Sequence, residues 1–177
     1  MNLQNISLIY FDYFEMDFLH EIADKVQKVF LSKIQIREGN IDLSDFYDAT
    51  RRQYNANKLL QYIQKNYTSE GAKTIGIFNV DFFIPIFTYI FGQAYINGQA
   101  GIASLSRLGN ESYGIEPDEN ILLERFSKEI IHELGHTFGL IHCHVPDCVM
   151  RSSTYAEDID QKGYNLCPKC RETLFKP

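Results

Sequence analysis

The stretch His132-Glu133-Leu134-Gly135-His136-Thr137-Phe138-Gly139-Leu140-Ile141-His142 constrains this chain more than any other feature. Side chains four residues apart on an α-helix stand one turn above each other, so His132 and His136 can reach one metal ion if this stretch is helical. Gly139 can take the left-handed backbone that ends a helix, turning the chain so that His142 approaches as a third ligand. Three protein ligands leave one position of a tetrahedral zinc open to water, the arrangement of catalytic sites. Glu133 directly follows one ligand and can accept a proton from that water. The competing reading is two surface histidines and an incidental glutamate. The helix that the motif needs is legible upstream. Pro117 is followed by Asp118 and Glu119, acidic groups suited to a helix start. Leu123, Phe126, Ile130 and Leu134 then form an apolar stripe with Ile131 beside it, and Arg125, Glu129, His132 and His136 fall on the opposite side.

All four cysteines follow the histidine motif: Cys143, Cys148 and the pair Cys167-Pro168-Lys169-Cys170. Two short-spaced pairs separated by a loop suit a closed tetrathiolate zinc site, which is structural because no position is open. Its binding free energy would stabilise C-terminal loops that have no long apolar run of their own. Disulfides, a redox Cys-x-x-Cys pair and free thiols are the other readings of the same spacing. His144 reads as a solvated histidine, and His20, among the apolar positions of an early helix, as a structural one.

The rest of the chain reads as a mixed, partly parallel twisted β-sheet backed by helices. Ile6–Phe11 is a buried strand, and Leu19, Ile22, Val26, Val29 and Phe30 recur at helical spacing behind Asp17 as N-cap. Ile34–Ile36 follows as a short strand and Asn55–Asn66 as a second helix. Thr74–Val80, Tyr89–Ile96 and Ala100–Leu108 are further strands, and Gly109–Pro117 is an exposed loop. With 177 residues and 45% hydrophobic content, the chain is expected to form one packed domain. Within it, 1–138 would be a sheet-and-helix part including the motif helix, and 139–177 a small C-terminal subdomain around the cysteines.

A net charge of −6 with no basic block argues against nucleic acid as partner. Met1–Phe14 lacks a basic n-region and a small-residue cleavage site, and the apolar run Ile6–Phe11 is too short to span a membrane. These features predict a cytoplasmic, soluble monomer without membrane contact.

Taken together, the histidine motif and the ordered run Cys143-His144-Val145-Pro146-Asp147-Cys148-Val149-Met150, with Cys167 to Cys170 after it, resemble the archaemetzincins, a branch of the metzincin zinc peptidases. The loop from Met150 to Cys167 is one residue shorter than that family's pattern. Arg52-Gln53-Tyr54, Phe91-Gly92-Gln93-Ala94 and Ser104-Leu105-Ser106-Arg107-Leu108 also look like family segments. The resemblance implies a compact zincin-like α+β fold whose cleft is crossed by the active-site helix, with two zinc ions, one catalytic and one structural. It makes Met150 the Met-turn residue beneath the zinc histidines, where spacing alone would read it as a core residue. It also implies an edge strand above the cleft that pairs with an extended peptide or protein substrate. Gly101, Ile102, Ala103, Ser104 and Leu105 are the candidates for that strand. Tyr155, five residues after Met150, is a candidate cleft residue.

The expected chemistry is hydrolysis of a peptide bond by zinc-activated water with Glu133 as general base. Three other readings remain at this stage: a zinc-stabilised binding module with little hydrolysis, a hydrolase of a non-peptide amide, and a thiol redox protein using Cys167 and Cys170.

Overall fold

The computed structural model describes residues 4–176. The apolar run near the N-terminus forms strand β1 (Asn5–Tyr10), from which helix α1 (Met16–Phe30) crosses to strand β2 (Ile34–Glu38). Leu19, Ile22, Ala23, Val26 and Phe30 are the buried face of α1, and Leu31 ends it in the left-handed conformation. The helix opens two residues earlier than the Asp17 cap predicts, with Glu15 as N-cap and Asp17 in the first turn. His20 is exposed, a correction to its expected place in the core, because it sits one step around the helix from buried Leu19.

Two short strands, β3 (Tyr47–Asp48) and β4 (Gln53–Asn55), precede helix α2 (Ala56–Asn66). Asn55 is the N-cap of α2, its side chain accepting from the Lys58 N–H at 3.1 Å. Strand β5 (Ala72–Phe78) is buried along its whole length. It is followed by β6 (Phe82–Ile84), β7 (Phe87–Ile90), β8 (Gly92–Ala94) and β9 (Ala100–Ser104). The principal sheet has the order β2-β1-β5-β9-β8, parallel throughout except for β8, which runs antiparallel to β9. A smaller sheet, β3-β4-β6-β7, flanks it.

The expected single strand Tyr89–Ile96 is thus two strands in different sheets, with buried Phe91 at the bend between them. The expected strand Ala100–Leu108 stops at Ser104. There the Ser104 hydroxyl donates to the Val80 carbonyl and the chain turns, Leu108 N–H bonding to Leu105 C=O at 3.0 Å. Of the expected exposed loop Gly109–Pro117, Glu111 to Pro117 is exposed, whereas Gly109 and Asn110 are buried, the Asn110 side chain accepting from Arg125 at 3.0 Å.

Helix α3 (Glu119–Thr137) carries the histidine motif and packs with α1 on one face of the principal sheet, while α2 covers the other. Its N-cap is Asp118, which accepts from the N–H groups of Asn120 and Ile121. Every residue of α3 from Arg125 to Thr137 is buried, so the expected polar face is not a solvated one. Its charges are answered by the C-terminal segment, which contains α4 (Ala156–Asp160) and α5 (Pro168–Phe175). Arg125 makes two bonds of 2.7 Å to the Asp160 carboxylate, and Lys128 Nζ donates to Ile159 C=O at 3.1 Å. Val149, Met150, Ile159, Cys148, Cys167 and Cys170 join the same apolar cluster as α1 and α3.

Candidate metal centre and active site

The motif helix ends where its glycine predicts. Gly139 has φ +90°, a conformation that L side chains rarely adopt, and the chain reverses so that Leu140 N–H reaches Gly135 C=O at 2.9 Å. That reversal brings the His142 ring to 5.2 Å from the His132 ring and 5.0 Å from the His136 ring, centroid to centroid. One nitrogen from each of the three rings lies within 4.8 Å of the others.

Backbone carbonyls set the tautomers of the two helical histidines. His132 Nδ1 lies 2.9 Å from Val149 C=O and His136 Nδ1 2.7 Å from Leu140 C=O. A carbonyl only accepts, so in both rings Nδ1 carries the proton and Nε2 the free lone pair. Burial lowers the basicity of His132, His136 and His142 and keeps the imidazoles neutral. The two Nε2 atoms then face each other at 3.1 Å. Two lone pairs at that distance repel unless a cation lies between them. Ligands 2.0–2.1 Å from a tetrahedral zinc would stand about 3.3 Å apart, so the donor set fits the ion.

Glu133 is buried beside these rings, and its Oε2 has no hydrogen-bond partner. Burial pushes its carboxyl well above the ordinary carboxylate range, and Glu129, one turn earlier and hydrogen-bonded to it, adds to the shift. Burial also raises Glu129, against the pull of the Lys162 ammonium. Lys162, itself buried, donates to Arg151 C=O at 2.8 Å and lies 3.5 Å from His132 Nδ1. Neither Glu129 nor Lys162 had been assigned a role from sequence. Glu129 could have been suspected from its spacing of three, four and seven residues from His132, Glu133 and His136. Lys162 has no local signal at all.

The four groups His132, Glu133, His136 and His142 line a cavity of about 530 Å³. Its opposite walls are Phe87, the run Tyr89–Ala94 and Ile96, with Ser152, Ser153 and Thr154 from beyond the Met150 turn. Met150 is fully buried beneath α3, and a Cβ on Gly135 would collide with its Sδ. The absent side chain at Gly135 is what lets the thioether close under the histidines.

The expected cleft strand is corrected by the topology. Gly101, Ile102, Ala103 and Ser104 are buried in β9, which is hydrogen-bonded to β5 on one side and β8 on the other, and Leu105 follows it. None of the five lines the cavity, and the sheet edge beside the histidines is β8. Phe91 C=O and Tyr95 N–H bond to β9, so the intervening Gly92 and Ala94 turn their N–H and C=O groups to the open side. Tyr155 is 60% exposed and does not line the cavity. The tyrosine that does is Tyr89, whose hydroxyl donates to Thr154 C=O at 3.1 Å and whose ring lies 4.4 Å from the Arg107 guanidinium.

Gly92 sits against Glu133: a Cβ there would stand 2.7 Å from Glu133 Cγ and 2.9 Å from Ile102 C=O. Gly92→Ala is expected to displace the carboxylate, lowering kcat on a peptide at least about tenfold and costing about 1–3 kcal/mol of stability. Steady-state kinetics with a thermal melt would check this, and native kcat in the variant would contradict it.

The cysteines form a second group, all four free and with one sulfur from each within 4.8 Å of the others. Cys143 and Cys167 sulfurs are 3.7 Å apart. That is too long for a disulfide and matches the roughly 3.8 Å edge of a tetrahedron with Zn–S near 2.3 Å. Cys167 is the N-cap of α5, and the nearby Cys170 backbone N–H helps draw its thiol down to about 7. His144 is exposed and belongs to neither group.

Comparison with known proteins agrees with this geometry. The pattern of peptidase family M54 matches residues 2–176. The archaemetzincin of Pyrococcus horikoshii is 43% identical over 144 residues, covering 78% of this chain and 76% of that relative. The crystal structure of the Methanopyrus kandleri archaemetzincin superposes with a TM-score of 0.84 at 30% identity, covering 98% of this chain and 94% of that one. A structure described as a zinc-dependent peptidase from Methanocorpusculum labreanum gives 0.85 at 26% identity, covering 96% and 99%. A motif helix ended by Gly139, three converging imidazoles with a buried glutamate, and four clustered thiols thus lie in a chain that the family pattern matches from residue 2 to residue 176. It belongs to peptidase family M54, the archaemetzincins, and is a zinc metallopeptidase.

Proposed function

We propose that the chain hydrolyses internal or terminal peptide bonds of extended peptides, with Glu133 as general base and His132, His136 and His142 holding the catalytic zinc. The observation that carries this reading is the convergence of three neutral imidazoles and a buried carboxylate on one cavity beside a free strand edge. Zinc, when bound there, supplies a Lewis acid that polarises the scissile carbonyl and acidifies water. The protein's own groups do the rest. Gly92 and Ala94 offer backbone N–H and C=O groups to a substrate lying antiparallel along β8, aligning its scissile bond over the histidines. Glu133 takes a proton from the attacking water and returns it to the leaving amine. Val149 and Leu140 keep the imidazoles oriented, and Met150 forms an apolar floor under them.

A second zinc on Cys143, Cys148, Cys167 and Cys170 would be structural, giving two ions per chain. In this reading 139–177 is a small subdomain of a single catalytic domain. The protein would act as a monomer on peptide or protein substrates in the cytoplasm, a compartment consistent with four free thiols. Among the described residues no helix is long and apolar enough to cross a membrane. A free edge in an open-sided cavity favours an extended peptide over a compact non-peptide amide.

Digestion of a diverse peptide library by protein of measured zinc content, read by mass spectrometry, tests the proposal. Cleavage that disappears in Glu133→Ala is the expected result. Intact peptides from protein carrying two zincs would favour a binding module instead.

A further inference from the structure

The two clusters of metal-binding residues share one loop. Residues 142–151 are closed by a bond of 2.9 Å from Cys143 N–H to Met150 C=O, and contain no helix or strand. His142 is covalently adjacent to Cys143. Cys148 is adjacent to Val149, whose carbonyl orients His132 and whose N–H is tied to Asn165 C=O at 3.0 Å, two residues before Cys167. The same loop delivers Met150 beneath Gly135. A second tie runs through Lys162, which reaches Arg151 C=O beside His132, while neighbouring Gly163 N–H bonds to Asp147 C=O at 3.0 Å. His142, the Val149 carbonyl that orients His132, and Met150 beneath Gly135 therefore each lie within one or two residues of a cysteine of the second group.

We propose that the four-cysteine site is a positioning device for the catalytic centre, so that the two zinc ions bind cooperatively. This rests on the two-zinc reading above. A metal on the cysteines orders the loop, and the histidine site then assembles without that ordering cost. Emptying the cysteines frees Val149 and the approach of His142, removing an outer hydrogen bond to one ligand and the placement of another. Loss of such outer contacts typically weakens metal binding about 10- to 100-fold. Coupling in binding free energy is reciprocal, so an empty histidine site must weaken the cysteine site by the same factor.

The test is competitive zinc titration of the full chain against a chelating dye. Three proteins are compared: the wild type, Cys167→Ser/Cys170→Ser, and His136→Ala. The cysteine pair and His136 are all outside the shared loop, so its chain is untouched. The expected result is a histidine-site affinity about tenfold or more weaker in the cysteine variant, and an equal loss of cysteine-site affinity in His136→Ala. Affinities within twofold of the wild type in either variant overturn the proposal. If the cysteine variant does not fold, the His136→Ala arm decides alone. A wild type that takes only one zinc overturns the two-zinc reading and this inference with it, whereas two zincs with independent affinities overturn only the inference. The readout is binding, so an absence of peptide cleavage bears on the peptidase reading alone.

Discussion

Replacing Glu133 with Gln is expected to lower kcat by about 100- to 10,000-fold while leaving zinc content unchanged. The expectation separates two functions that the sequence places side by side. His132 and His136 are oriented by the Val149 and Leu140 carbonyls rather than by the Glu133 side chain. A glutamine has nearly the same shape, so the tight approach of Gly92 and the burial of the site are kept. What is lost is the capacity to take a proton. The carboxylate Oε2 is the buried oxygen left without a protein partner on this helix, which marks it as the atom meant for water or substrate. The measurement is single-turnover cleavage of a library-derived peptide on zinc-quantified samples. Native turnover in Glu133→Gln at full zinc would remove Glu133 from the mechanism.

The second large effect concerns the cysteines. Removing the zinc proposed there is expected to unfold the chain locally from about residue 142 onward while the principal sheet stays folded. Among the described residues beyond α3 the helices are α4, of five residues, and α5, of eight, shorter than the roughly 12–15 residues an isolated helix needs for even marginal stability in water. The two helices bury only Ala156, Ile159 and Cys170, and the loop before them adds chiefly Val149 and Met150. Structural zinc contributes about 10–16 kcal/mol in small zinc-binding peptides, as much as the whole stability of an ordinary domain. Hydrogen exchange would read the result: with Cys167→Ser/Cys170→Ser, the amides of Cys143, Val149 and Arg151 should lose protection while those of β1, β5 and β9 keep it. Unchanged protection in the C-terminal segment would mean that side-chain packing alone holds it.

How much of this was legible beforehand differs from element to element. The motif helix, its Asp118 start and its Gly139 end followed from spacing and capping chemistry. These are short-range properties, carried by residues within one or two turns of each other. The same holds for the three histidines, Glu133 and the cysteine pairs, since i, i+4 and Cys-x-x-Cys geometry is local. Strand identity near β1, β5 and β9 was legible for the same reason, from continuous apolar runs.

Sheet order was not. Gly101–Leu105 reads as an apolar strand in either an edge or a central position, and only pairing with both β5 and β8 makes it central. The edge next to the histidines is the three-residue β8, too short to show alternation and separated from β7 by a bend at Phe91. Tyr155 was proposed from nearness in the chain to Met150, whereas Tyr89 reaches the cavity from sixty-one residues before Met150.

The sequence by itself therefore determined the metal chemistry, since ligand type and spacing act within a few residues of backbone. It determined the family too, because the order of the histidine and cysteine motifs is written along the chain. Only the tertiary structure decided which strand borders the cleft, which tyrosine faces it, and that Glu129 and Lys162 sit near the Glu133 carboxylate. Those depend on contacts between segments far apart in sequence. Such contacts are chosen by the packing of the whole core, which no local pattern encodes.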